Sequence, residues 1–258
     1  MPIPNSRFWG FIPVRAGSQR LPQKALRLLG NVPLIHYTLS QVHQLKQQGI
    51  TTENWLYTND SAVLAYVEQA FLPTGAVTLP PFVRPNTVSH ATAGAWETVQ
   101  QFIQQLHRSN TIPPHAWATH LVLLQTTSPF RQVARIAEAI TQYQQQLEQF
   151  SLNPACTGLV SVTALEKPSA WLLEQSAATA TVPAHLSTVT AQLPASLVYP
   201  NGAIYIVPIA PFLSQQPFQF WQTLTTVLPY TMPWLQSIDI DTAEDLALAE
   251  QLYKTVLP

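Results

Sequence analysis

Cationic side chains are concentrated near the amino terminus, in the stretch "FIPVRAGSQRLPQK". The residues of chemical interest there are Arg15, Gly17, Ser18, Arg20 and Lys24. Guanidinium, ammonium and hydroxyl groups, together with the backbone N–H groups of a turn, are the donors that bind phosphate oxygens. The stretch has neither the Gly-Lys-Ser/Thr of a P-loop nor the G-x-G-x-x-G of a dinucleotide-binding turn. It therefore predicts an anion-binding loop of another kind, one that can wrap a triphosphate.

A pair of carboxylates occurs near the carboxyl terminus, in "SIDIDT". Asp239 and Asp241 alternate with Ile238 and Ile240, and a strand end would turn both carboxylates to one face. Two hard oxygen ligands suit Mg²⁺, which takes one or two carboxylates in addition to substrate phosphates. The alternative is that Asp241 and Thr242 only form the cap of the last helix. Taken with the cationic loop, the pair favours a magnesium site.

Alternating apolar and amphipathic segments predict the elements that position these residues. Strands are expected in "FWGFIPV", "NWLYTND", "THLVLLQTTSP", "TGLVSVTAL" and "NGAIYIVP". Helices are expected in "PLIHYTLSQVHQLKQQG", "SAVLAYVEQAF", "TAGAWETVQQFIQQLH" (with Thr92 as its cap) and "RQVARIAEAITQYQQQLEQF". Strands separated by such helices predict an α/β fold with a mostly parallel sheet and helices on both faces. Ligands of these sheets bind beyond the carboxyl ends of the strands, where the cationic loop, "TND" and "QTTSPFR" all fall.

Charge is otherwise scarce, which narrows the possible partners. Only 10% of the residues are charged and the formal net charge is -1, so we expect neither nucleic acid nor a membrane as a partner. The single cysteine, Cys156, excludes an internal disulfide and is compatible with a reducing cytoplasm. The first residues lack the pattern of a secretory signal, and no apolar run reaches the roughly 18 residues of a membrane span. We expect a cytoplasmic protein.

The domain organisation is expected to be a single domain over residues 1–258, with one interruption. Residues 166–198 include "EQSAATATVPAHLSTVTAQLPASL", which is rich in alanine, threonine, serine and proline and has little periodicity. Two interpretations stay open for this segment. It is either a flexible insertion or an arm that becomes ordered against a second subunit.

Several motifs in the same order resemble one family, the acylneuraminate cytidylyltransferases or CMP-sialic acid synthetases. They are "IPVRAGSQRLPQKALRLLGNVPLIHYTL", "LLQTTSPFR", "NGAIYI" and "LPYTMPWLQSIDIDTAEDLALAE". The resemblance implies a Rossmann-like nucleotidyltransferase fold and a homodimer that exchanges an arm. It also implies Mg²⁺-dependent transfer of CMP from CTP to a nine-carbon, sialic-acid-like sugar.

The resemblance further implies a role for individual residues. The CTP phosphates and nucleotide would be bound by Arg15, Ser18, Arg20, Lys24 and Arg84. The sugar would be contacted by Gln125 and Asn201, and the metal would be held by Asp239 and Asp241. Arg15, Lys24 and Asp241 would act in catalysis, while the sugar hydroxyl attacks the α-phosphorus and pyrophosphate leaves.

The sequence departs from the family pattern at several positions that would contact substrate. Gln19 and Ala25 replace a lysine and an asparagine of the first loop. A serine-rich stretch that reads the base is "SHATAGA" here, with Ala91, Gly94 and Ala95. An arginine expected before "LP" in "VTAQLP" is absent. The departures leave other acceptors open (3-deoxy-manno-octulosonate, pseudaminate or legionaminate), as well as a non-catalytic nucleotide-binding relative. The retained aspartate pair favours the enzyme.

Overall fold

A computed structural model of the chain describes residues 7–85, 94–165, 174–175, 180–181 and 198–256. The expectations for Thr92, for Ala91 and for most of the arm at 166–198 concern residues outside these ranges. Among the described residues, no helix combines the length and apolar character needed to cross a membrane.

The centre of the described chain is a six-stranded sheet. Its strands are β1 (Phe8–Val14), β4 (Glu53–Thr58), β5 (His120–Leu123), β6 (Thr157–Ala164), β9 (Val198–Pro208) and β10 (Thr226–Thr231). Across the sheet their order is β10-β6-β9-β5-β1-β4. All neighbours pair in parallel except β9, which runs antiparallel to both β5 and β6. The predicted mostly parallel sheet is confirmed, and the reversed strand is a feature that the periodicity did not predict.

Helices flank this sheet, and two short strand pairs lie outside it. The helices are α1 (Leu34–Gln47), α2 (Ser61–Ala70), α3 (Ala95–Ser109), α4 (Val133–Gln149), α5 (Phe220–Thr223) and α6 (Ala243–Val256). The short pairs are β2 (Leu28–Leu29) with β3 (Val32–Pro33), and β7 (Glu174–Gln175) with β8 (Ala180–Thr181). Helix α3 begins after Gly94, which occupies the N-cap position, so the prediction of Thr92 as its cap is wrong.

Strand β1 shows why the apolar runs became interior strands. Phe8 and Ile12 belong to a core cluster that also contains residues of α1 and α4. Trp9 and Phe11 belong to a second cluster that contains residues of α3. Because both faces of the strand are buried, its sequence is continuously apolar instead of alternating. The prediction of helices on both faces is confirmed.

A third apolar cluster fixes the edge of the sheet where the parallel strands end. It brings together Leu21 from the cationic loop, Phe130 from the turn after β5, and Ile238 and Ile240. The segment 238–241 is an extended loop and not the end of a strand, which corrects the prediction. The alternation nevertheless survives, because both isoleucines are buried while the carboxylates between and after them remain accessible to solvent.

Candidate active site

A cavity of about 300 Å³ opens at the carboxyl edge of the parallel strands. The structure brings most of the predicted site residues to its wall: Arg15, Ser18, Arg20, Lys24, Arg84, Gln125, Asp239 and Asp241. Four of these side chains are cationic and two are carboxylates. The excess of positive charge suits a polyanion such as a triphosphate. We call this space the first cavity.

The cationic loop is held to the sheet by the neighbouring strand ends. The backbone N–H of Ala16 donates to Asn59 Oδ1 at 3.0 Å, and Asn59 follows β4 directly. Gly17 has a φ of 76°, in the left-handed region that favours glycine. Leu21 anchors the far side of the loop in the third apolar cluster. These contacts present Arg15 and Ser18 to the cavity from a fixed backbone.

Arg84 reaches the first cavity from within the protein. It is 4% exposed, and its Nη2 donates to Thr98 Oγ1 of α3 at 3.1 Å. The guanidinium carbon lies 5.9 Å from the centre of the Tyr57 ring. Burial lowers the pKa of Arg84 to about 10, an effect that Tyr57 opposes and Arg15 reinforces. The group therefore stays protonated at neutral pH and adds a fixed positive charge to the wall.

The carboxylate of Asp241 is ion-paired with two of the loop cations. Lys24 Nζ donates to Asp241 Oδ1 at 2.6 Å, and Arg20 Nη2 donates to Asp241 Oδ2. These pairs join the amino-terminal loop to the carboxyl-terminal segment across the cavity. A bound triphosphate would compete with Asp241 for Arg20 and Lys24, since its oxygens attract the same donors.

The last helix is capped without using the Asp241 carboxylate. Thr242 Oγ1 accepts from the backbone N–H of Asp245 at 3.1 Å, while Asp245 Oδ2 accepts from the backbone N–H of Thr242 at 2.8 Å. Asp245 Oδ2 also accepts from the backbone N–H of Asp241 at 2.9 Å. This reciprocal arrangement is a capping box. The alternative in which Asp241 serves as a helix cap is therefore not what the structure shows.

The Asp239 carboxylate is accessible to solvent, but it is also surrounded by enough protein atoms to change its pKa. The side chain opens to the first cavity, yet burial among protein atoms raises the pKa of its carboxyl group above the usual value. A hydrogen bond from the Thr127 side chain opposes that rise, whereas the charges of Asp241 and Asp245 add to it. A cation bound near these carboxylates would relieve their mutual repulsion.

The donor set can be compared with what Mg²⁺ requires. Among the described residues, no group of three or more histidine, cysteine, aspartate or glutamate side chains is placed to hold a metal ion. Asp239 and Asp241 do line the same cavity as the cations. Two carboxylates next to a phosphate-binding loop fit Mg²⁺, which usually keeps water and substrate phosphates as its remaining ligands.

A second cavity of about 490 Å³ adjoins the first, and the two share Gln125 and Asp239 in their walls. Aromatic and apolar side chains form much of its lining: Tyr199, Tyr205, Trp234, Ile238 and Leu248. Asn201 and Gly202 of β9 complete the wall near Gln125. The site is thus divided into a cationic compartment and a largely uncharged one, with Gln125 and Asp239 at the border.

Asn201 lines the second cavity, but its side chain is engaged in a buried network. Its Oδ1 accepts from Ser161 Oγ at 2.6 Å and from the backbone N–H of Ala203 at 3.1 Å. Its Nδ2 donates to Thr163 Oγ1 at 3.0 Å. These bonds join β9 to β6 where the pairing between them is irregular. The network fixes the wall of the cavity, and contact of Asn201 with a sugar stays a prediction.

Several residues of the site were not singled out from the sequence. Thr98 and Thr127 support Arg84 and Asp239 respectively. Burial raises the pKa of Tyr205, and the negative charge of nearby Asp239 raises it further. Arg131 is buried behind Gln125. Thr127 and Arg131 lie in "QTTSPFR", which was expected near the ligand, whereas no motif assigned a role to the others.

The substituted positions also lie at the site. Gln19, Ala25 and Ala95 all line the first cavity. Gly94 is the N-cap of α3 and contributes no side-chain cap. The first cavity therefore has fewer polar side chains on these walls than the family pattern would supply.

The sequence is similar to known enzymes along nearly its whole length. It is 28% identical over 250 residues to the CMP-N,N'-diacetyllegionaminic acid synthase of Legionella pneumophila, covering 95% of this chain and 96% of that protein. It is 28% identical over 242 residues to the N-acylneuraminate cytidylyltransferase of Escherichia coli and 26% identical over 242 residues to that of Streptococcus agalactiae. The match covers 92% and 91% of this chain respectively, and 50% of each of those two longer proteins.

The fold is likewise similar to solved structures. A CMP:2-keto-3-deoxy-manno-octonic acid synthetase complexed with CTP superposes with a TM-score of 0.63 at 17% identity, covering 98% of this chain and 100% of the other. The 4-diphosphocytidyl-2C-methyl-D-erythritol synthase of Anaerococcus prevotii superposes with a TM-score of 0.61 at 11% identity, covering 96% of both chains. These likenesses confirm the Rossmann-like nucleotidyltransferase fold.

The family model described as Cytidylyltransferase matches residues 10–254. This range contains every residue that the sequence motifs assigned to the site. The predicted enzyme class, a nucleotidyltransferase, is confirmed with it. The chain therefore belongs to the cytidylyltransferase family.

Proposed function

We propose that this enzyme transfers CMP from CTP to a nine-carbon acidic sugar and releases pyrophosphate. The observation that carries the proposal is the pair of adjoining cavities, one cationic and one largely uncharged, which share Gln125 and Asp239. The phosphates of a nucleoside triphosphate need cationic surroundings, whereas the ring and acyl groups of an acidic sugar need largely uncharged ones. Because the cavities meet, the two substrates would meet at the border.

The first cavity would hold the triphosphate. Arg15, Ser18, Arg20 and Lys24 come from one loop, and Arg84 lines the same cavity. On binding, the phosphates would replace Asp241 as partners of Arg20 and Lys24. Charge-assisted bonds of this kind contribute about 1.5–3 kcal/mol each when they form between charged groups.

Asp239 and Asp241 would hold Mg²⁺ once Asp241 has separated from the loop cations. The metal, when bound, would neutralise phosphate charge and make the attacking hydroxyl more acidic. This assignment is supported by the shared cavity wall. It is also supported by the raised pKa of Asp239, which is caused mainly by burial and to a smaller extent by the charges of Asp241 and Asp245.

The acceptor would bind in the second cavity. Its hydroxyl oxygen would form a bond to the α-phosphorus while the bond from that phosphorus to the pyrophosphate oxygen breaks, and the hydroxyl proton would pass to solvent. Arg15 and Lys24 would neutralise the charge that builds up on the leaving pyrophosphate. Gln125, at the border of the cavities, would orient the acceptor.

The lining of the second cavity bears on the identity of the acceptor. The lining of the second cavity, as far as the structure describes it, contains Asp239 and Asp245 but neither arginine nor lysine. Tyr199 and Trp234 offer aromatic faces suited to acyl and deoxy groups of a sugar. Diacetylated legionaminate carries such groups, and the match to the Legionella relative named for it covers 96% of that protein. We propose diacetyllegionaminate and N-acetylneuraminate as the first acceptors to test.

We further propose that the enzyme is a homodimer and acts in the cytoplasm. Large apolar side chains are exposed around the second cavity: Val198, Tyr199, Trp234, Leu235 and Leu248. An apolar rim of this kind is typical of an interaction surface. A second subunit seated there would supply the missing contacts to the acidic group of the acceptor. The single cysteine, which cannot form an internal disulfide, is compatible with a reducing compartment.

The test is a screen for pyrophosphate release. CTP, UTP, ATP and GTP are each incubated with Mg²⁺ and with N-acetylneuraminate, diacetyllegionaminate, pseudaminate or 3-deoxy-manno-octulosonate. We expect release with CTP and a nine-carbon acid, and none when the acceptor or the metal is left out. Binding of CTP without release from any acceptor would favour the alternative of a non-catalytic nucleotide-binding relative.

A further inference from the structure

Arg131 carries a fully buried positive charge in the turn between β5 and α4. Its side chain is 1% exposed, and burial lowers the pKa of the guanidinium to about 9, so the group is still charged at neutral pH. Buried charges are normally met by an opposite charge. Among the described residues, however, its hydrogen-bond acceptors are all uncharged oxygens. Since an apolar side chain of similar volume would avoid this cost, the charged group needs another explanation.

The guanidinium joins three elements of the fold. Its Nη1 donates to the backbone oxygen of Ala203 in β9 at 2.5 Å, and its Nη2 donates to that of Gln125 at 3.3 Å. Nε and Nη2 also donate to Gln41 Oε1 of α1, at 3.1 and 2.9 Å. Gln41 Nε2 in turn donates to the backbone oxygens of Arg131 and Pro129. The turn, the helix and the strand are therefore locked to one another.

These bonds lie where two strands of the sheet separate. The antiparallel ladder between β5 and β9 has Leu123 opposite Tyr205 as its last pair. Continuing the same register would place Gln125 opposite Ala203, and there the two backbone oxygens both accept from Arg131. A planar fork with several donors can bridge two carbonyl groups in this way, whereas a single ammonium group fits such a geometry poorly.

The second cavity begins at this separation. Gln125 borders both cavities, and a Cβ placed on Gly202 would lie 3.8 Å from Gln125 Nε2. The side-chain amide thus lies next to the β9 segment 201–203, whose position Arg131 helps to set. Any change in the spacing between Gln125 and this segment would alter the wall of the second cavity more than that of the first.

We propose that Arg131 is a positioning residue for the acceptor, one that sets the spacing between Gln125 and the β9 wall of the second cavity. The proposal rests on the transfer reaction proposed above. The expected effect is selective. Loss of the Arg131 guanidinium impairs use of the acceptor, whereas binding of CTP, which depends on the first cavity, is preserved. A residue needed only for the stability of the fold would affect both substrates alike.

The test compares Arg131→Lys with the parent in steady-state assays of pyrophosphate release, varying each substrate in turn. We expect kcat/KM for the acceptor to fall about tenfold or more, as for a small misplacement of a reacting group. The Kd for CTP, measured by calorimetry, should stay within about threefold of the parent value because the phosphate contacts remain. The control is Arg108→Lys, at the exposed end of α3, which should leave both constants unchanged.

A second variant keeps the proposal testable if Arg131→Lys does not fold. Gln41→Met removes the side-chain oxygen that accepts two of the Arg131 bonds but leaves the arginine in place. We expect a smaller loss, again confined to the acceptor. Equal changes for both substrates, or parent values for both, would overturn the assignment of Arg131. Absence of release by the parent with every acceptor would instead overturn the proposed function, and this inference with it.

Discussion

Asp241 is the residue at which the cationic loop and the proposed metal site meet. Without substrate its carboxylate is paired with Arg20 and Lys24. In the proposed reaction, this carboxylate exchanges the two cations for a metal ion when the triphosphate binds. The exposed fraction of its side chain, 29%, leaves it accessible for that exchange. Asp241 is therefore expected to matter for catalysis more than for folding.

Replacing Asp241 with alanine should abolish Mg²⁺-dependent release of pyrophosphate while the fold stays intact. The variant loses one of two proposed metal ligands, and its loop cations lose a partner. The free energy of unfolding should fall by no more than about 1 kcal/mol, because the ion pairs are partly exposed and the capping box is unaffected. Glu244→Ala, in the exposed first turn of α6, is the matched control. Undiminished release by Asp241→Ala would show that the metal assignment is wrong.

Replacing Arg15 with alanine tests the cationic loop. The variant should bind CTP with a Kd about tenfold higher or more, equivalent to the loss of one charge-assisted bond. Stability should change little, because a partly exposed loop arginine buries little apolar surface. Arg108→Ala, at the exposed end of α3, removes the same charge far from both cavities. Calorimetric titration with CTP measures the Kd. Equal Kd values for the parent and Arg15→Ala would show that Arg15 does not bind the nucleotide.

At the scale of elements, the start of β5 contains an uncharged histidine. His120 is buried between the rings of Phe8 and Tyr143. Its Nε2 faces the Pro154 carbonyl at 3.3 Å and its Nδ1 faces Thr119 Oγ1 at 2.8 Å, a pairing that the neutral ring satisfies. Burial lowers the pKa of His120 to about 4, although the Pro154 carbonyl opposes the shift.

This histidine should make the protein less stable in mild acid. Between pH 6.5 and 4 the unfolded chain binds a proton at this position that the folded chain does not, so the free energy of unfolding falls as the pH falls. From pH 7.5 to 5 the loss should be about 2 kcal/mol. Urea unfolding at both pH values, compared between the parent and His120→Gln, measures it. An equal loss of unfolding free energy in the parent and in His120→Gln would mean that His120 is not the cause. The control is His115→Gln, at an exposed position, which should show the same loss as the parent.

The elements themselves could be predicted largely from local sequence patterns. "FWGFIPV" became β1 over the whole of its length, and Pro33 and Gly49 frame α1 as expected. The antiparallel direction of β9 was missed because strand direction depends on pairing between distant segments and leaves no mark on periodicity. "SIDIDT" was predicted as a strand end because its alternation is typical of strands. The structure instead holds it as a loop, in which the backbone N–H of Ile240 donates to the Thr127 carbonyl and that of Asp241 donates to the Asp245 carboxylate.

Much of the site could be predicted because its residues follow strands in the sequence, whereas Asp239 and Asp241 were predicted from their alternation and Arg84 from the family resemblance. The cations of the first loop and Gln125 fall directly after β1 and β5, and parallel topology brings such positions together. Arg131 was missed because its role depends on Gln41 and Ala203, which lie 90 and 72 residues away in the chain. The sequence alone does not distinguish a buried arginine from an exposed one, because burial depends on residues that only the fold brings near.

At the scale of the whole molecule, the proposed homodimer leads to a prediction for residues 166–198, the segment rich in alanine, threonine, serine and proline. Its composition offers few large side chains, while fixing a backbone costs about 1–2 kcal/mol per residue, so we expect it to become ordered mainly against a second subunit. Deletion of residues 172–192 should give a monomer that still binds CTP but no longer uses the acceptor. Light scattering and calorimetry test this. A monomeric parent, or a deletion variant that stays dimeric and active, would contradict it.

The central claim is that CMP, and no other part of CTP, moves to an acidic sugar. The most direct measurement uses CTP carrying ³²P at either the α or the γ position, incubated with Mg²⁺ and each nine-carbon acid. The account predicts the α label in a CMP-sugar and the γ label in pyrophosphate, both only when the acceptor is present. Label in CDP and free phosphate, or α label released as CMP at the same rate without an acceptor, would contradict it.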